Sequence, residues 1–260
     1  MKRHLPLLAL TVVALMLLAV ACGPQPTETT TPEPTSPPTA LPDEGNLPAA
    51  LDRTIRFDPA ASTDADTLLL CGLLYDGLTR LDQDGNPQPA LALGWTLSDD
   101  QLDYVVTLRQ GVSFHDGSTF DADTVLANFN RWFDPADPLH IPDAFTGWQT
   151  EFLGFKGEVD ASLVPVSTFD GIEKVDNYTV LIHLNRPVPD LMAKLAQPYF
   201  LILDPLLLAT AGDAYGTSLE NTNGTGAYQV AAWTDSGLEL APHAGYWDAI
   251  PGESLQFEWR

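Results

Sequence analysis

The side chains best equipped for chemistry are thinly spread. The five histidines, His4, His115, His140, His183 and His243, are far apart, and none belongs to an HExxH pair. A metal site would need ligands from distant segments. Asp82, Asp84 and Asn86 superficially resemble a calcium loop. The EF-hand pattern wants Gly at its sixth position and Glu at its twelfth, whereas Gly85 is fourth here, so a plain turn is expected. Asp99-Asp100 and other acid pairs could suggest glycosidase carboxylates, but with 35 acidic residues such pairs arise by chance. His115, in FHDG, reads as a turn residue rather than a general base. No GxxxxGK, GxGxxG or GxSxG occurs. No catalytic residue, metal or cofactor is expected.

The two cysteines differ in setting. Cys71 lies in LLLCGLL and reads as a small buried hydrophobe. Cys22 ends MKRHLPLLALTVVALMLLAVAC, in which Lys2 and Arg3 form a positive start and small residues precede the cysteine. Leu5 to Val20 is apolar but short for a membrane span, which needs about 20 residues. The segment resembles a bacterial lipoprotein signal, with Ala19 where Leu is usual. That resemblance implies removal of residues 1–21 and a lipid anchor on Cys22, worth about 0.8 kcal/mol per buried methylene. The chain would be exported and held on the outer face of the cell membrane, on its periplasmic or extracellular side. Residues 24–42 hold 7 Pro and 6 Thr, so 22–46 is read as an extended tether.

From Leu47 to Arg260 the composition is globular. Twelve basic against 35 acidic residues give a formal charge of −23, which argues against nucleic acid as a partner. It also argues against docking on anionic lipid through a basic patch.

Several elements must position whatever site exists. Arg53 to Phe57 reads as a short strand, and Thr67 to Tyr75, apolar on most sides, as a buried helix. Leu78 to Leu81 is strand-like, and Asp82 to Pro87 is a turn by composition. Tyr104 to Leu108 is β-rich, with a second turn at His115 to Ser118. Asp121 caps a helix in which Val125, Leu126, Phe129, Trp132 and Phe133 fall at helical spacing, ending before Asp134-Pro135. Residues 134–165 read as long loops. Ile172 to Val175 and Tyr178 to Leu184 flank Asp176-Asn177 as a hairpin. Asp190 to Ala196 is a short helix. Strands are expected at Phe200 to Leu203, Tyr228 to Trp233, Leu238 to Leu240 and Leu255 to Trp259. Trp95, Trp233 and Trp247 are candidate core anchors. Mixed strands and helices indicate an α/β or α+β fold.

Five blocks carry a family resemblance. The first is FDP (57–59) with LLYDGLTRLDQDGNPQPALALGW (73–95). The second is SDDQLDYVVTLRQGVSFHDGSTFDADTVLANFNR (98–131). The third is GIEKVDNYTVLIHLNRPVPDLMAKLAQP (171–198), and the fourth NTNGTGAYQVAAW (221–233). The fifth is HAGYWDAIPGESLQFEW (243–259). In this order they resemble the family 5 extracellular solute-binding proteins of ABC importers, over roughly residues 53–260. The resemblance implies a type II periplasmic-binding-protein first lobe: a mixed sheet with helices and a smaller inserted β-rich subdomain. It implies capture of a peptide or small solute between two hinged lobes, and presentation to an ABC permease in the membrane. The ligand contacts it implies are Ser62, Thr63, Asp64 and Ala65, then His140 with its neighbours Leu139 and Ile141, then Asn223, Gly224 and Thr225.

Family members are usually about twice as long, so the second lobe is expected to be absent from this chain. If each lobe supplies half of about 8 kcal/mol, one lobe alone holds its ligand at roughly millimolar. Two other functions compete: a surface-anchored protein-interaction lobe without transport activity, and an acidic secreted hydrolase. A carboxylate pair in one deep pocket would favour the hydrolase.

Overall fold

The computed structural model describes residues 47–260; the expected signal segment (1–21), Cys22 and the expected tether (22–46) lie outside the described residues. Two hydrophobic cores organise the fold. The first lies under a four-stranded antiparallel sheet of β4 (Ala92–Leu97), β5 (Asp103–Leu108), β6 (Phe169–Asp176) and β7 (Thr179–Leu184), in the order β4-β5-β7-β6. Val106 pairs with Val180 and Tyr104 with Ile182. Strict alternation puts Tyr104, Val106, Leu108, Val180, Ile182 and Leu184 on one buried face. Against that face packs α2 (Ala122–Phe133), whose Asp121 carboxylate accepts from the Thr124 N–H at 3.1 Å. Phe129, Trp132 and Phe133 from α2 meet Trp148 and Phe152 from α3 (Thr146–Phe152), with Phe169 and Phe200, in one aromatic cluster. Such edge-to-face and offset pairs add to the area they bury.

The second core lies under another four-stranded sheet, formed by β1 (Ala50–Leu51), β8 (Tyr228–Trp233), β9 (Gly237–Pro242) and β10 (Leu255–Trp259). Its order is β1-β10-β9-β8, with β1 parallel to β10. Helix α1 (Ala65–Leu74) fills it with Leu70, Cys71, Leu73 and Leu74, all buried. The helix is apolar nearly all round because it is enclosed on most sides. A small hairpin of β2 (Thr79–Leu81) and β3 (Pro87–Pro89) follows α1. Its turn puts Gly85 at φ +82°, while Asp82 accepts from the N–H groups of Asp84 and Asn86. The Asp82 carboxylate is thus the turn's own cap. Two short helices, α4 (Leu191–Lys194) and α5 (Pro205–Ala211), complete the set, and Trp247 packs against both cores.

Four expectations need correction. Arg53 and Thr54 form a turn and Ile55 to Phe57 join no strand, because Asp52 accepts from both the N–H and the hydroxyl of Thr54 and diverts the backbone from a ladder. Phe200 to Leu203 is buried without being a strand. Its N–H groups at Ile202 and Leu203 go to the Asp76 carbonyl and the Asn128 side chain, and only Leu201 bridges to Gly77. Residues 134–165 contain α3, hidden from a periodicity reading by its shortness. Trp95, Trp233 and Trp247 are half-buried at the margins, whereas Trp132 and Trp148 are the enclosed tryptophans. Cys71 is buried, as its apolar neighbours suggested.

Candidate functional site

Phe57 and Asp58 are buried, and the chain then makes a short 3-10 turn at Pro59–Ala61 before α1 begins. Ser62 is half-buried, and Thr63, Asp64 and Ala65 are exposed. The Ser62 hydroxyl accepts from the Asp64 N–H at 3.1 Å. Asp64 caps α1, accepting from the Thr67 N–H at 2.8 Å and its hydroxyl at 2.7 Å. These bonds, the backbone one foremost, hold the Asp64 carboxyl below the usual range. Asp52 is lowered likewise by the N–H and hydroxyl of Thr54. Between the two turns lies an open cavity of about 340 Å³, lined by Asp52, Thr54, Arg56, Ser62, Asp64 and Arg260 among others.

The floor of this cavity is held by a buried ion pair. Asp58 and Arg131 are each 1% exposed, and the guanidinium grips both carboxylate oxygens, at 3.1 and 2.5 Å. Fully enclosed charges persist only when paired and hydrogen-bonded throughout. Arg131 meets that demand: Nε donates to the Leu139 carbonyl at 3.2 Å, and the guanidinium lies 4.9 Å over the Phe145 ring. Its carbonyl accepts from His140 Nδ1 at 2.8 Å. One side chain on α2 therefore ties the 58–65 segment to the 139–141 segment. His140 itself stands edge-on to Phe145 and Phe155 and lines a separate recess of about 310 Å³.

Asn223, Gly224 and Thr225 lie elsewhere and line neither space. All three are buried. Asn223 donates to Asp204 at 2.8 Å and accepts from the Asp116 N–H at 3.2 Å. Gly224 is clamped by His115, whose N–H donates to the Gly224 carbonyl at 2.8 Å and whose Nδ1 accepts the Gly224 N–H at 3.2 Å. His115 Nε2 donates to Gly226 at 3.2 Å, so the ring is the neutral tautomer. Burial lowers its pKa to about 4. A Cβ at Gly224 would stand 2.0 Å from the Leu74 carbonyl oxygen. Thr225 donates to Asp76 at 2.9 Å. A polar Asn-Gly-Thr run reads as an exposed loop, but here every polar atom named is used internally.

Sequence reasoning missed Asp76 and Arg131. Asp76 accepts from Thr225, from the Tyr246 hydroxyl at 3.0 Å and from Trp247 Nε1 at 2.9 Å. Burial outweighs these donors and raises its pKa to about 6. The available signal was an acid directly after a buried apolar run, in LLYDG. For Arg131 it was an arginine two positions from Phe129 on the buried stripe.

The family pattern described as "Bacterial extracellular solute-binding proteins, family 5 Middle" matches residues 86–256. The chain belongs to this family. It is thereby placed among solute-binding proteins rather than enzymes. A glutathione-binding protein, GsiB, of Salmonella paratyphi A is 32% identical over 205 residues, which are 78% of this chain and 35% of the relative. The chain thus spans about a third of the length of the curated relatives it matches. Among solved structures, the DppA periplasmic binding protein of Helicobacter pylori with peptide STSA superposes with a TM-score of 0.67 at 25% identity. The match covers 81% of this chain and 41% of that one. OppA of Listeria monocytogenes bound to peptide gives a TM-score of 0.66 at 21% identity, covering 82% and 42%, and supports the fold alone. The family 5 chain therefore has a mixed α/β architecture matching part of a type II periplasmic binding protein.

Proposed function

We propose that residues 47–260 form the first lobe of a solute-binding protein that captures a peptide, or a similar small solute such as glutathione, for an ABC importer. The observation that carries this reading is the Arg131–Asp58 pair. It holds two separate segments, 58–65 and 139–141, in fixed relation beside an open, polar cavity. A preorganised wall of this kind suits capture by enclosure, in which a second lobe closes over the ligand. Ser62, Thr63, Asp64 and Ala65 are the ligand-facing residues, with His140 in the adjoining segment. Asn223, Gly224 and Thr225 act as internal support. The reading extends to the N-terminus: residues 1–21 direct export, Cys22 carries a lipid, and residues 22–46 tether the lobe outside the membrane, where it meets the permease.

An amide-resolved NMR titration of the 260-residue protein with Ala-Ala-Ala tests the capture. Saturable shifts are expected at residues 62–65 and 139–141, with a dissociation constant of roughly millimolar. Shifts confined to other surfaces would overturn the assignment. Anchoring is tested apart from this: Cys22→Ser should abolish incorporation of labelled fatty acid, and unchanged labelling would refute the anchor.

A further inference from the structure

The recess beside His140 has a chemistry unlike that of the cavity at Ser62. It holds about 310 Å³, and Phe145, Phe155, Pro135 and Pro142 supply apolar rings to its walls. His140 lines it as well, and three contacts fix the imidazole. Nδ1 lies 2.8 Å from the Arg131 carbonyl oxygen. A carbonyl only accepts, so Nδ1 carries the proton. The ring also stands edge-on to Phe145, with centroids 5.0 Å apart, and to Phe155, with centroids 5.4 Å apart. Phe145 is itself held, being 1% exposed and under the buried Arg131 guanidinium. In the neutral ring Nε2 is then an acceptor, and it takes no hydrogen bond among the described residues. Among the described residues no Lys or Arg lines the recess, so a ligand carboxylate meets no cation there.

Resting on the capture reading, we infer that this recess receives an aromatic side chain of the ligand that carries a hydrogen-bond donor, as tyrosine does, and that His140 Nε2 accepts from it. The phenyl and proline rings pack against the ligand's ring, and the imidazole takes its polar tip. A phenylalanine ligand fills the same space but strips water from Nε2 without replacing the bond, and that loss sets the preference. Phe145, Phe155 and the Arg131 carbonyl are positioning groups. They hold the acceptor in place before the ligand arrives, which lowers the ordering cost of binding. No covalent step is involved.

The test is a parallel NMR titration of the 260-residue protein with Ala-Ala-Ala, Ala-Phe-Ala and Ala-Tyr-Ala. Ala-Tyr-Ala should bind about fivefold more tightly than Ala-Phe-Ala, the scale of one neutral hydrogen bond in a partly solvated site. It should also shift the side-chain resonances of His140, Phe145 and Phe155, which Ala-Ala-Ala should leave in place. His140→Asn should bring the ratio close to one. The asparagine amide can still donate to the Arg131 carbonyl, as Nδ1 does, while the acceptor at Nε2 is removed. Equal affinities for the tyrosine and phenylalanine peptides, with residues 62–65 still responding to all three, would overturn the inference and leave the capture reading standing. A fivefold ratio that survives His140→Asn would overturn the assignment to Nε2. Tyrosine-peptide shifts that spare His140, Phe145 and Phe155 would overturn the placement in this recess. Absence of shifts with all three peptides would overturn both readings together.

Discussion

Arg131 shows how much one residue can carry. Replacing it with Met removes the positive charge but leaves Asp58 enclosed, a loss of about 3–5 kcal/mol expected for a broken buried pair. Urea unfolding should report that loss directly, and Arg131→Lys should recover part of it; a change below 1 kcal/mol in the Met variant would contradict the argument. Leu163 presents the opposite case. It is 79% exposed and sits at φ +63°, a conformation that costs a residue with a Cβ about 1 kcal/mol. Leu163→Gly should therefore stabilise the protein by up to about 1 kcal/mol, seen as a higher unfolding midpoint; an unchanged or lower midpoint would contradict the argument.

Among the elements, α1 and the segment after Asn223 depend on one another. Gly224 packs its α-carbon against the last turn of α1, so Gly224→Ala pushes a methyl into the Leu74 carbonyl. Overpacking against backbone of this kind costs roughly 3 kcal/mol, and thermal unfolding of the variant should move down accordingly. At the other end of α1, Asp64→Ala should cost about 1 kcal/mol of cap energy and Asp64→Asn almost none. These elements differ in how well they could be read. The caps at Asp121, the α2 stripe, the β6–β7 hairpin and the alternation in β5 and β7 follow from local spacing. The turn at Asp52 and the buried segment at Ile202 do not, because their backbone groups bond to side chains and to distant carbonyls that no local pattern reveals.

At the scale of the molecule, two half-buried titrating groups contribute opposite slopes to stability between about pH 4 and 6. His115 has a folded pKa of about 4, below its ordinary 6.5. The unfolded chain therefore binds the extra proton between those values, and stability contributed above pH 6.5 is lost as pH falls toward 4. Asp76 works in reverse. Its pKa of about 6 lies above the ordinary 3.8, so its contribution is full below 3.8 and disappears as pH rises through 6. The two slopes largely cancel, with His243, also lowered by burial, tilting the balance toward His115. His115→Gln should expose the Asp76 slope, so that stability falls as pH rises from 4 to 6. Denaturant titrations at stepped pH would show this, and an unchanged profile would count against the His115 assignment. The Asp76–Trp247 bond also spans the two cores, with Arg109 stacked on the indole at 4.2 Å. Trp247→Phe should lose about 2 kcal/mol and broaden unfolding as the cores uncouple.

What the residues alone determined is the part governed by short-range rules: a Pro- and Thr-rich composition over residues 24–42, a mixed α/β region after it and a formal charge of −23. Periodicity, capping and turn chemistry act within about ten residues, so they survive in one dimension. The tertiary structure decided which polar groups are spent and which remain available. Asn223, Gly224 and Thr225, polar and turn-like in the chain, are consumed by Asp204, His115 and Asp76. Arg260, distant from Ser62 in the chain, joins it at one cavity. A buried polar atom must find a partner wherever the fold provides one, and that pairing is a property of three-dimensional proximity rather than of spacing along the chain.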